Sequence, residues 1–197
     1  HPDISTIHRA VGAAMRDGDL VLSLGAGNIH EAEARLRTDL ILRDELLEVM
    51  GPGTIRLHEP LSRHPTMRVG GPARFWAEPE TEEGFADLVC YCADRELPLL
   101  VMGRGSNLLV RDGGIPGVVV HLKNGEFARY EVEGNEITAG VGLKLKQITA
   151  LARKAGLGGF EWMEGIPGNV GGALRMNAGA MGIETFDQVV RVTFLDE

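Results

Sequence analysis

The sequence is short of several things, and each shortage removes a class of function. Only two of its 197 residues are cysteine. Cys90 and Cys92 stand at i and i+2 of a predicted helix and point roughly 200° apart. They suit two packed free thiols in a reducing compartment better than a disulfide or a metal clip. Excess positive charge is also missing. With 20 Lys and Arg against 28 Asp and Glu, the formal net charge is −8, so neither nucleic acid nor an anionic membrane is an expected partner. No apolar run reaches membrane-spanning length and no secretory apolar region occurs; a cytoplasmic protein is expected. The six histidines (His1, His8, His30, His58, His64, His121) show no metal-ligand spacing, so packed or exposed imidazoles are expected and no metal ligand is assigned. Gly105-Ser106-Asn107 lacks the closing glycine of a nucleophile elbow, which argues against acyl transfer.

What is abundant is glycine. Its 27 copies are not periodic but cluster at a few loops, where backbone geometry matters more than side chains. A hydrophobic fraction of 44% with 24% charged residues allows an ordinary globular core. If such an acidic chain binds a phosphorylated cofactor, main-chain N–H groups must do much of the holding.

Apolar spacing predicts a helix over Ile4 to Met15, a turn at Asp17-Gly18-Asp19, and a short strand over Leu20 to Leu24. Gly25-Ala26-Gly27-Asn28 then feeds a helix. That turn lacks the third glycine of a dinucleotide fingerprint, because His30 stands there, so a tight structural turn is expected. A charged helical stretch from Asp39 to Met50 ends at Gly51-Pro52-Gly53, where a unit boundary is placed. Beyond it, strands are predicted at Arg74 to Glu78, Leu97 to Met102 and Gly117 to Leu122. A helix capped near Thr81 carries the stripe Phe85, Leu88, Val89 and Cys92. Alternation from Phe127 to Ala139 about a Gly134-Asn135 turn reads as a β-hairpin. A helix over Leu143 to Ala155, closed by Gly156, a glycine-rich stretch to Gly182 and a last strand, Val189 to Leu195, complete the pattern.

Three stretches carry the chemistry. Gly103-Arg104-Gly105-Ser106-Asn107-Leu108-Leu109 joins strand to strand, which excludes the dinucleotide fingerprint and the P-loop. Its glycines permit an anion nest suited to a diphosphate, with a plain β-turn as the alternative. Glu164 to Ala173, continued by Met176 to Gly182, is stripped of bulk. It can lie flat on a planar ligand, or be a flexible loop; the fixed Pro167 favours an ordered path. Thr66 to Ala73 fits close backbone approach or a structural corner equally well.

Together these stretches resemble the UDP-N-acetylenolpyruvoylglucosamine reductase family. The matching residues are Thr66 to Ala73, Gly103 to Val110 with Asp112 and Gly114, and Gly165 to Gly182, in order within residues 54 to 197. The resemblance implies an α+β fold: a two-subdomain FAD-binding fold of the vanillyl-alcohol-oxidase type, with subdomains at 54–124 and 125–197. It implies that the FAD diphosphate lies on Gly103, Gly105, Ser106 and Asn107, with Leu108 beside them. Gly165, Ile166, Pro167, Gly168, Gly171, Gly172 and Ala173, with Asn177, Ala178 and Gly179, would line the flavin and ribityl region. In that family NADPH reduces FAD, and reduced flavin delivers hydride to the enolpyruvyl group of a nucleotide sugar, giving UDP-N-acetylmuramate. The family's catalytic arginine, serine and glutamate, and its substrate domain, are expected beyond Glu197, so no catalytic residue is assigned.

Residues 1–38 resemble something else. Asp17-Gly18-Asp19-Leu20-Val21-Leu22-Ser23-Leu24-Gly25-Ala26-Gly27-Asn28-Ile29 is similar to the C-terminal end of UDP-N-acetylmuramate–alanine ligases. This implies a small α/β ligase-tail segment with a linker helix over 1–50, and a fused or neighbouring ligase as partner. A non-catalytic flavin-binding or interaction module attached to such a ligase is the alternative function; a different oxidoreductase of the same FAD fold is a further one.

Overall fold

The structure, a computed structural model, describes residues 4–25 and 28–196. Helices α1 (Ile7–Ala14) and α2 (Ile29–Met50) open the chain. Strand β1 (Gly53–Pro60) pairs antiparallel with β2 (Pro72–Pro79). Helix α3 (Glu82–Asp94), β3 (Leu99–Val101) and β4 (Ile115–Val120) follow. The sheet order is β1-β2-β4-β3, and β4 runs parallel to both its neighbours.

Strand β2 carries the apolar run Phe75-Trp76-Ala77 because it is central and buried on both faces there. On one face Phe75 and Ala77 join Val118 and Val120 of β4, and pack on Leu46 and Met50 of α2 and Leu88, Tyr91 and Cys92 of α3. On the other, Trp76 and Val119 meet Leu61 and Met102. Ala73 joins this second face across a register shift between Ala73 and Phe75. Phe75 and Trp76 are fully buried, each contributing roughly 1.5–3 kcal/mol by transfer from water. Thr81 caps α3 by accepting from the Gly84 N–H at 3.1 Å. Gly84 has no room for a side chain: a Cβ there would lie 2.1 Å from the Met50 carbonyl.

A separate core lies beyond β4. The hairpin β5 (Tyr130–Glu133) and β6 (Glu136–Ala139), helix α4 (Leu145–Lys154), the short helix α5 (Val170–Met176) and the two-residue strands β7 (Gly179–Ala180) and β8 (Ile183–Glu184) surround Leu143, Ile148, Trp162, Met163 and Ala173.

Several expectations need correction. Leu20 to Leu24 is irregular, with Leu20, Leu22 and Leu24 largely exposed; an apolar run without a neighbouring strand has no ladder to join. For the same reason Val189 to Leu195 is not a strand, and Val190 and Phe194 lie exposed. The turn expected at residues 25–28 falls partly outside the described residues. Strand β1 was not anticipated, although Ile55 and Leu57 alternate with Arg56 and His58 along it. The helix ending at Gly51 is one element from Ile29 rather than two, and its second half belongs to the core of the sheet. Cys90 is exposed and Cys92 buried, and burial pushes the Cys92 thiol up to about 11. No helix among the described residues is long and apolar enough to cross a membrane.

Glu78 is the buried acid of the sheet. It accepts from Trp76 Nε1 at 2.8 Å and is paired with Lys123 Nζ at 2.7 Å and Arg56 Nη2 at 3.3 Å. Burial alone would raise its pKa, but hydrogen bonds from Lys123 and Trp76 and the charge of Arg56 outweigh it and hold the carboxyl below its ordinary value. A depressed folded pKa stabilises above the unfolded value and is lost as pH falls through the folded one. The fold should therefore lose stability as pH drops below about 4. Glu78→Gln should flatten that acid limb and cost about 1–3 kcal/mol at neutral pH by leaving donors poorly matched. Urea unfolding across pH checks both; an unchanged acid limb in the variant would refute the assignment.

Candidate functional site

The loop after β3 leaves the sheet through Met102, whose carbonyl accepts from His121 Nδ1 at 2.8 Å. Gly105 has φ +62 and is buried against Pro65; a Cβ there would stand 3.0 Å from the Pro65 Cα. The Leu108 N–H reaches the Gly105 carbonyl at 3.4 Å, so the loop closes as a turn, and Leu108 anchors it on the Trp76 side of the sheet. Ser106, Asn107 and Arg104 are exposed. The main-chain amides of residues 103 to 107 donate to no main-chain carbonyl among the described residues. Main-chain donors left without a carbonyl partner suit anionic oxygens.

Gly103 faces the second core. A Cβ on it would lie 3.3 Å from Asn169 Oδ1. Asn169 sits just before α5, is 6% exposed, and donates through Nδ2 to the Gly142 carbonyl. Its Oδ1 is buried and has no hydrogen-bond partner among the described residues. A buried, unpaired acceptor is uncommon and costs about 1–3 kcal/mol, so a ligand hydroxyl or N–H would satisfy it. Sequence reasoning placed Asn169 within the second stretch but not among the binding residues; the visible signal was an amide between Gly168 and Val170, ahead of a run of small residues.

The remaining residues divide. Around Asn169, the Gly168 carbonyl accepts from Leu145 N–H at 3.1 Å and the Gly171 N–H donates to Val141 at 2.9 Å. Gly165, Pro167 and Gly172 are exposed, and a Cβ at Gly165, Gly168 or Gly172 would meet nothing within 4 Å. Those three positions present bare main chain. Ile166 packs against the second core and Ala173 is buried in it. Asn177 takes φ +44; its Nδ2 donates to Glu184 Oε2 at 2.5 Å and its Oδ1 accepts from Phe186 N–H at 3.1 Å. Ala178 and Gly179 lead into the β7–β8 turn, where Thr185 Oγ1 donates to the Ala178 carbonyl at 2.7 Å. Asn177 to Gly179 thus form a turn whose amide side chain is already engaged within the protein. The Thr66 to Ala73 stretch is a backbone corner: Cβ atoms at Gly71 and Gly114 would come within 2.0 Å of the carbonyls of Asp112 and Pro72.

Residues 73–197 match the FAD binding domain family. The chain belongs to that family. It is also 42% identical over 157 residues to the UDP-N-acetylenolpyruvoylglucosamine reductase of Caldanaerobacter subterraneus, covering 80% of this chain and 51% of the relative. The reductase of Clostridioides difficile is 41% identical, over 77% of this chain and 49% of its own. The crystal structure of UDP-N-acetylenolpyruvylglucosamine reductase from Thermus caldophilus superposes with a TM-score of 0.54 at 39% identity, over 67% of this chain and 44% of that one. The resemblance read from the glycine-rich stretches therefore holds, as does the α+β FAD-binding fold. The chain spans about half the length of the curated relatives it matches. A ligase fusion is not among these likenesses.

The residues present fit FAD on two counts: unpaired amides where a diphosphate needs donors, and a bare Gly103 beside the unpaired acceptor of Asn169. Gly103→Ala should fill that space and weaken FAD binding by about tenfold, with little effect on unfolding. Gly105→Val, at a φ that β-branched residues rarely adopt, should abolish binding. Flavin fluorescence titration with urea unfolding in parallel checks both; full affinity in Gly103→Ala would mean that the flavin nucleotide does not pass there.

Proposed function

We propose that this chain is the flavin-binding part of an NADPH-dependent reductase that converts UDP-N-acetylglucosamine enolpyruvate to UDP-N-acetylmuramate in the cytoplasm. Gly103, backed by Asn169, carries this reading: it joins the diphosphate loop to the second stretch at a point with no side chain in the way. FAD would supply hydride transfer when bound. The chain's own part is to hold it. The amides of Gly103, Gly105, Ser106 and Asn107 take the diphosphate, and Asn169 Oδ1 accepts from the ribityl or ring. The bare main chain at Gly165, Gly168 and Gly172 leaves room for a planar ring to approach.

In this reading the flavin lies between subdomains 54–124 and 125–197. The two separate cores support that division, one around β2 and one around α4. The nucleotide-sugar substrate and NADPH are engaged by the whole enzyme; the relatives' name, a reductase of UDP-N-acetylenolpyruvoylglucosamine, supports the substrate. For residues 1–38 the ligase-tail reading, with a fused or neighbouring muramate–alanine ligase, rests on the Asp17 to Ile29 stretch alone.

The purified chain should take up one equivalent of FAD and show a flavin spectrum. A chain extended to the relatives' length should oxidise NADPH only when the enolpyruvyl nucleotide sugar is added. A colourless protein that ignores added FAD would sink the proposal. Uptake of FAD without substrate-dependent NADPH oxidation by the extended chain would leave a flavin-binding module of another activity.

A further inference from the structure

Away from the flavin region, three buried side chains from three elements converge. His8 comes from α1, Asp39 from α2 and His58 from β1, with exposures of 8%, 4% and 5%. One ligand atom of each lies within 4.8 Å of the other two. His58 Nε2 is 2.8 Å from Asp39 Oδ2. The two imidazole centroids are 5.5 Å apart and nearly perpendicular, at 85°. Two imidazoles on one tetrahedral ion, with metal–nitrogen bonds of about 2.0–2.1 Å, would place their centroids about 5 Å apart. The rings already stand near that separation.

Two further observations point to a ligand. His8 Nδ1 is buried and has no hydrogen-bond partner among the described residues, an arrangement that costs about 1–3 kcal/mol unless something fills it. A cavity of about 380 Å³ opens beside the cluster, lined by His8, Asp39, His58 and Arg74 among others, with room for a water as fourth ligand. The second oxygen of Asp39 is held by Arg74, through Nε at 2.8 Å and Nη2 at 2.7 Å, the outer support that ligating carboxylates commonly have.

We propose that His8, Asp39 and His58 bind one divalent first-row cation of zinc's class, clamping α1 and α2 onto β1. Two nitrogens and one carboxylate oxygen suit zinc, cobalt or nickel rather than magnesium or calcium, which prefer all-oxygen sets. On metal binding the Asp39–His58 hydrogen bond gives way to two metal–ligand bonds, with His58 in the neutral tautomer that carries its proton on Nδ1 and leaves the Nε2 lone pair for the ion. Arg9 and Arg35 also line the cavity and oppose a dication. A Kd on the order of micromolar is therefore expected rather than the far tighter binding of an all-thiolate cage.

The test uses the full chain, stripped with a chelator and titrated with Co²⁺. One equivalent should produce the visible bands of four-coordinate cobalt, and Zn²⁺ should displace them. His8→Ala should weaken Co²⁺ binding by about 100-fold, with its helical circular dichroism and FAD binding kept. Absence of saturable 1:1 binding by the wild-type chain overturns the proposal, and so does a site that survives His8→Ala but is lost when His1 is removed. Should His8→Ala fail to fold, X-ray absorption of the zinc-loaded wild-type chain decides. Two imidazoles and a carboxylate support the site; any other ligand set overturns it.

Discussion

The candidate site depends on one apposition: the Cβ-free main chain of Gly103 against the side chain of Asn169. Asn169 is fixed from behind by its donation to the Gly142 carbonyl and by the neighbouring contacts of Gly168 with Leu145 and of Val170 with Leu143. It thus belongs to the core around α4, while Gly103 belongs to the sheet. A methyl at residue 103 would stand 3.3 Å from Asn169 Oδ1, tight enough that the amide must yield by a few tenths of an ångström. The same contact leaves the Asn169 oxygen without a partner. A close approach and an unpaired acceptor therefore fall at one point.

The glycine excess has two physical causes, not one. At Gly71, Gly84 and Gly114 the missing Cβ lets one main chain cross another, with carbonyl oxygens about 2 Å from where the carbon would be. These glycines build corners. At Gly165, Gly168 and Gly172 nothing protein-made occupies the space, and the absence of a side chain serves no packing purpose. Sequence cannot separate the two kinds, since both appear as small residues beside Pro or Asn. That is why Thr66 to Ala73 fitted close backbone approach and a structural corner equally well in the sequence; it is a corner set against residues 110–114.

What was legible in the sequence was local. The Thr81 cap, the Gly134-Asn135 hairpin, the Gly156 helix end and the loop at Gly103 are each set by residues within a few positions of one another. What was not legible needs a distant partner. Leu20 to Leu24 and Val189 to Leu195 have strand composition, but a strand exists only where another strand's edge receives its hydrogen bonds. The partnering of β1 with β2 was missed for the converse reason: charged Arg56 and buried His58 interrupt a run whose alternation was present. Likewise the His8–Asp39–His58 cluster escapes any search for ligand spacing, because each member comes from a different element.

The distribution of basic side chains bears on why the proposed diphosphate site would be built from amides. Arg74 is committed to buried Asp39, and Arg56 and Lys123 to buried Glu78. Removing one partner from such a pair leaves an uncompensated buried charge, which is far costlier than losing an exposed ion pair. These cations cannot therefore turn toward a ligand without destabilising the sheet. In a chain with a net charge of −8, Arg104 is left as the exposed cation within the Gly103–Leu108 loop, and in the proposed site main-chain N–H groups would carry the rest. Amides have a further advantage beside a redox cofactor: their donors are fixed by the backbone and do not titrate.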